Sequence, residues 1–165
     1  MAPQPPSRAQ VVFAPERPEI IGVKSVFLAG TTTQSAEGDW RETLAASLSH
    51  LPITLFNPFR ADWDGSWRED ASFAPFRGQV EWELDMQELA DIVVIYFGPD
   101  TDAPISLLEF GLCARPNKAL VACHAGYKKR GNVEIVCQKM GITFLDSVDR
   151  VGHALAEKLG LQDNL

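Results

Sequence analysis

The sequence predicts an α/β protein: a three-layer sandwich in which helices cover both faces of a five-stranded parallel sheet. Three observations carry this. Short unbroken apolar runs such as Ser25–Ala29, Asp91–Phe97 and Ala119–Cys123 have the composition of strands buried on both faces. Between them lie longer stretches with apolar side chains at helical spacing. The alternation continues from Val23 to Leu159, and β-α alternation of this kind implies right-handed crossovers onto a parallel sheet.

Residues 1–20 hold Pro3, Pro5, Pro6, Pro15 and Pro18 with little periodicity, and read as a flexible or loosely docked arm ahead of one domain at 21–165. Ser25–Ala29 is the first strand, ending at Gly30-Thr31-Thr32-Thr33. Asp39 is placed to N-cap a helix over Trp40–Leu48. Ile53–Phe56 is the second strand, closed by Asn57-Pro58. Residues 58–77 form a long loop in which Trp63, Trp67, Phe73 and Phe76 sit among charges. Such a loop is expected to be a binding lid whose aromatics stack on a base, or an Ω-loop pinned by those aromatics. A helix near 78–90 leads to the strand Asp91–Phe97, and a helix near 105–115 to Ala119–Cys123. A helix from Asn132 to Met140, the short strand Ile142–Leu145 and a helix near 148–159 complete the chain. Five strands suggest the flavodoxin-like, Rossmann-like order 2-1-3-4-5. That order sets the ends of strands 1 and 3 side by side, at the switch point where such sheets bind ligands.

Charge and composition exclude several partners. The 15 basic and 22 acidic side chains leave a net charge of −7, which argues against a nucleic acid polymer or an anionic membrane surface. No apolar run approaches the ~18 residues of a membrane span, and the first residues lack the apolar core of a signal peptide. A cytoplasmic protein is expected. Cys113, Cys123 and Cys137 are widely spaced, form no C-x-x-C pair and do not cluster with His50, His124 or His153. Buried thiols are expected, with no metal and no cofactor. Dinucleotide and P-loop glycine motifs, the G-x-S-x-G elbow and H-E-x-x-H are all absent.

What remains is carboxylate chemistry. Glu109 is embedded in the apolar run Ala103–Ala114, just past the C-terminal end of a buried strand. Desolvation there would raise its pKa and suit it to acid–base or nucleophilic work. The alternative is a glutamate favoured by the dipole of a helix N-terminus. On the helix before that strand, Val80, Leu84 and Gln87 share one side, and Trp82, Met86 and Leu89 make the main apolar stripe. Glu81, Asp85 and Glu88 are expected in solvent, while Glu83 lies between these groups and can point toward the crevice. Two carboxylates converging on a sugar are what glycosidic cleavage uses. Gly30 and Thr31 end the first strand where a ligand would approach the backbone.

Phe27-Leu28-Ala29-Gly30, the junction Trp82-Glu83-Leu84 to Ala90-Asp91, and Leu108-Glu109-Phe110-Gly111 occur in the order found in the nucleoside 2-deoxyribosyltransferase family. The chain resembles its "nucleoside 2-deoxyribosyltransferase-like" branch from about Ser25 to Asp146. The spacing of 18 between Asp91 and Glu109 matches that family. The resemblance implies that Glu109 is the nucleophile at C1′ and that Glu83 takes the place of an assisting aspartate. It gives Asp91 a place in the substrate site, and makes Arg41 and Ser106 candidates for a 5′-phosphate. It also implies that Asn132 serves the sugar of a neighbouring subunit, in a homo-oligomer with shared sites; otherwise Asn132 is a helix N-cap. The family's orienting tyrosine falls near Val26 or Phe27, which have no hydroxyl. Hydrolysis of a nucleoside or nucleotide therefore stands beside transfer as the implied activity. The alternatives are NAD hydrolysis and an inert nucleotide-binding sensor or adaptor.

Overall fold

The computed structural model describes Gln4, residues 6–32, Ala36 and residues 38–161. Pro3, Pro5 and Thr33, named above, lie outside the described residues. Six strands form one sheet in which every neighbouring pair is parallel. In chain order the elements are β1 (Gln10–Phe13), β2 (Lys24–Gly30), α1 (Trp40–Ser47), β3 (Ile53–Asn57), α2 (Ala74–Leu89) and β4 (Ile92–Phe97). There follow α3 (Pro104–Ala114), β5 (Ala119–Cys123), α4 (Arg130–Met140), β6 (Thr143–Leu145), a 3-10 turn (Val148–Arg150) and α5 (Val151–Leu159). Across the sheet the order is β1-β3-β2-β4-β5-β6. The expected 2-1-3-4-5 arrangement is therefore present from β3 to β6.

The expected count of five strands is corrected by β1, which lies inside the stretch read as a flexible or loosely docked arm. Val11 and Val12 are enough for an edge strand, because an edge needs a partner on one side only. Gln10 secures it, its Nε2 donating to Thr54 Oγ1 at 2.7 Å and to Ile20 O at 2.9 Å. The segment after β1 then docks on α2. Trp82 Nε1 donates to Glu16 O at 2.8 Å, and Arg17 pairs with Asp85 at 2.7 Å.

Side chains alternate across the sheet with period two. On one face Phe27, Phe56, Val93, Ile95 and Phe97 pack with Trp82 and Met86 of α2, Phe110 and Cys113 of α3, and Val133 and Cys137 of α4. On the other, Val26, Leu28, Leu55, Ile92 and Val94 pack with Leu44 of α1 and Leu155 and Leu159 of α5. Cys113, Cys123 and Cys137 are buried free thiols. No helix among the described residues is long and apolar enough to cross a membrane.

Some helix boundaries differ from expectation. Helix α2 starts at Ala74, with Pro75 in its first turn, so the preceding loop is shorter than expected. Trp82 and Met86 of the expected apolar stripe are buried, but Leu89 is exposed; on the neighbouring side Val80 and Leu84 are exposed while Gln87 is buried.

Candidate functional site

The C-terminal ends of β2 and β4 meet at Gly30, which pairs with Tyr96. Gly30 has φ +116°, and a Cβ there would collide with the Tyr96 backbone, so only glycine lets the strands close. Thr31 fastens the junction: its N–H and Oγ1 donate to Tyr96 O at 2.8 and 3.2 Å, and Gly98 N–H donates to its Oγ1 at 2.8 Å. A cleft of about 760 Å³ opens here, within the ~300–1,000 Å³ of small-molecule sites. Its walls come from the ends of β2 and β3, the starts of α1 and α3, and α2.

Helix α2 carries Gln79, Glu83 and Gln87 at i, i+4 and i+8, which share one face. Gln79 Nε2 donates to Glu83 Oε1 at 2.8 Å and to Pro58 O at 2.9 Å. Gln87 Nε2 donates to Glu109 Oε1 at 2.6 Å. Each carboxylate is thus held by a glutamine of the same helix. Gln79 Oε1 is buried with no hydrogen-bond partner among the described residues, a position that costs about 1–3 kcal/mol until a donor reaches it.

Helix α3 brings Glu109 to the cleft. It begins at Pro104, where the missing N–H costs nothing, after Ala103 in the left-handed region at φ 43°. Ser106 and Glu109 are both buried on the helix side that lines the cleft. Burial pushes the Glu109 carboxyl up to about 7; repulsion from Glu83 adds to this, and Gln87 and Arg41 oppose it. Glu83 is raised as well, chiefly by burial, against the hydrogen bond from Gln79 and the charge of Arg41. Two neighbouring carboxylates, one buried and one half-buried, resist double ionisation, so the pair retains a proton toward neutral pH.

Arg41 stands opposite them, 5% exposed. Its Nε, Nη1 and Nη2 donate to Leu28 O, Thr31 O and Gly30 O at 2.9, 3.1 and 3.0 Å. Asp39 caps the first turn of α1 by accepting from Arg41 N–H at 2.9 Å, as the sequence suggested. Burial draws the guanidinium down to about 10, while Asp39, Glu109 and Glu83 act in the opposite direction.

Of the residues singled out from sequence, Glu109, Glu83, Gly30, Thr31, Arg41 and Ser106 all line this cleft. Asp91 does not. It sits just before β4, at the opposite end of the sheet, where its Oδ2 accepts from Ser25 N–H at 2.8 Å and Ser25 Oγ at 3.3 Å. Asn132 is exposed inside α4 and lies outside this chain's cleft; the N-cap position belongs to Lys129, so Asn132 is not the cap. Phe59 and Trp63 reach the cleft from the loop. Trp67 and Phe73 instead hold the loop together, with Trp63 and Trp67 centroids 4.9 Å apart and Trp67 and Phe73 6.0 Å apart. The aromatic contacts are those expected of a loop pinned by its own rings.

Sequence reasoning missed Gln79 and Gln87 as partners of the carboxylates, and Asn57 on the cleft wall. Asn57 Oδ1 accepts from Phe59 N–H at 3.0 Å and turns the chain after β3. A search outward from Glu83 at helical spacing would have found both glutamines. No curated protein matched the chain significantly. The family model described as "Nucleoside 2-deoxyribosyltransferase like" matches residues 23–127, more than half of the chain, and that stretch contains every residue of the carboxylate pair and its supports. The chain belongs to the nucleoside 2-deoxyribosyltransferase-like family.

Proposed function

We propose that the protein cleaves the N-glycosidic bond of a nucleoside or nucleotide, with Glu109 as nucleophile and Glu83 as proton carrier. Family membership supports a glycosyl-transfer or related activity on a nucleoside. The observation that carries the finer reading is the pair of carboxylates facing one cleft, Glu109 buried and Glu83 half-buried, each anchored through one oxygen by a glutamine. In the first step Glu109 attacks C1′, the C1′–N bond breaks, and Glu83 gives its proton to the departing base. In the second, water or another base attacks C1′, the ester to Glu109 breaks, and the attacking group's proton passes to Glu83. The pair shares one proton, which Glu109 holds more tightly at rest. The form that reacts is the one in which that proton has passed to Glu83, leaving Glu109 ionised, so activity is expected to follow a bell-shaped pH profile. Gly30, Thr31 and Ser106 form the substrate wall. Arg41 spends three of its five N–H donors on backbone carbonyls and acts on the two carboxylates through its charge.

Incubation with a panel of nucleosides, 5′-monophosphates and NAD, followed by chromatography of the released base, tests this. A 2-fluoro-2-deoxy analogue is expected to leave an ester on Glu109, seen as added mass on its peptide. Tight binding across the panel with no base released would move the reading to an inert nucleotide-binding sensor. Glu83→Gln is expected to slow the reaction by roughly 10²–10⁴-fold, the usual worth of general acid help; an unchanged rate would remove Glu83 from the mechanism.

Asn132 lies outside this chain's own cleft, so a role for it at the sugar needs a second copy of the chain. We propose a homodimer or larger assembly in which 128–132 approaches the partner's cleft. Ile105, Leu108 and Leu112 support this, exposed at 60%, 62% and 53% along one side of α3. Light scattering at micromolar concentration should report a dimer or larger species; a monomer with full activity would count against it. Three buried unpaired thiols are in keeping with a reducing, cytoplasmic location.

A further inference from the structure

Gln87 is 5% exposed, on the side of α2 that packs against α3, behind the cleft wall. Its amide Nε2 is the hydrogen-bond donor to the Glu109 carboxylate among the described residues. We propose that Gln87 is a positioning residue for the reaction: it fixes the Glu109 carboxylate in one orientation and stabilises its charged form. The proposal rests on the reading of Glu109 as nucleophile.

The contact, at 2.6 Å, is a short hydrogen bond from a neutral amide to a carboxylate. It occupies Oε1 and leaves Oε2 for C1′. The amide is held in one sense from its other end, because Cys113 Sγ donates to Gln87 Oε1 at 3.7 Å. Burial keeps that thiol up at about 11, hence a donor at any working pH. Lys118 Nζ pins the same turn of α2 by donating to Gln87 O at 2.8 Å and Glu88 O at 2.7 Å. A glutamine supplies the donor without titrating, so it fills the orienting role that Val26 and Phe27 cannot. The other charged or titratable groups acting on Glu109 are Glu83 of α2, which disfavours its charge, and Arg41 of α1, which favours it. Cys113 lies one turn further along α3, and Asp39, Arg60 and Asp102 stand around the cleft.

The test is the pH profile of kcat/KM for Gln87→Met, which keeps the volume and removes the donor. Loss of a hydrogen bond to a charged group should lower kcat/KM at pH 6 by about 10- to 100-fold. The limbs should move up by roughly one pH unit, so that the loss shrinks at higher pH. A profile lowered equally at every pH, with its limbs unmoved, would mean a merely structural role and overturn the proposal. So would an unchanged profile. Should Gln87→Met not fold, the wild type still decides. The Gln87 side-chain amide signals must titrate with the acid limb, and must stop titrating in Glu109→Gln; amide signals that ignore pH overturn the proposal. Titration of the Glu109 carboxyl carbon by NMR separates the two readings. A wild type that releases no base sinks the nucleophile reading, even where Gln87→Met shifts the carboxyl midpoint. An active wild type with no shift in Gln87→Met sinks only the positioning role.

Discussion

Glu109→Gln is expected to abolish base release and, above pH 7, to make the protein more stable. The first effect follows from chemistry, because an amide cannot form the ester while the cleft keeps its shape and most of its binding contacts. The second follows from linkage. The folded-state value of about 7 lies above the ordinary 4.5, so the folded protein holds a proton that the unfolded chain has already released between those pH values. Stability contributed by the protonated carboxyl is complete below 4.5, falls as pH rises, and is lost above 7. At ~1.4 kcal/mol per pKa unit the full penalty is about 3 kcal/mol. Glutamine carries no such penalty and still accepts from Gln87. Urea unfolding of both proteins at pH 4 and pH 8 checks this: near-equal stabilities at pH 4 and a gain for the variant at pH 8. Wild-type base release by the variant would end the nucleophile reading. Equal stabilities at pH 8 would mean that the carboxylate is not desolvated.

Arg41→Met is expected to destabilise the fold by about 3–5 kcal/mol, the cost of taking one partner from a buried charged network. Leu28 O, Gly30 O and Thr31 O would each lose the hydrogen bond from the guanidinium, Thr31 O keeping only the one from Trp40 Nε1, and Glu83 and Glu109 would lose the cation that faces them. Arg41→Lys should recover only part of this, because one ammonium cannot span the carbonyls that the guanidinium fork reaches. A midpoint of urea unfolding within experimental error of wild type would show that water can take over from the guanidinium.

The parallel core was legible because β2, β4 and β5 are continuous apolar runs, which suit no other place than the middle of such a sheet. Strand β1 was not, since four residues between prolines give no periodicity and its stability comes from Thr54 and Ile20, distant in sequence. Glu109 was legible as a charge inside an apolar run. Gln79 and Gln87 were not, because an uncharged amide on a helix looks alike whether it meets solvent or a carboxylate. Asp91 was misplaced by adjacency: it neighbours β4 in sequence, but it begins the strand, and the cleft lies where the strand ends.

The docking of residues 10–17 has a consequence for where a minimal protein can be cut. Phe13 meets Phe59 on the cleft rim with ring centroids 6.2 Å apart, Glu16 accepts from Trp82, and Arg17 pairs with Asp85. The family match starts only at residue 23. A protein trimmed to that match would retain both carboxylates, both glutamines and Arg41, yet expose the indole of Trp82 and free one flank of the helix that sets the carboxylate spacing. The boundary that defines kinship and the boundary that defines a working cleft are different places in this chain.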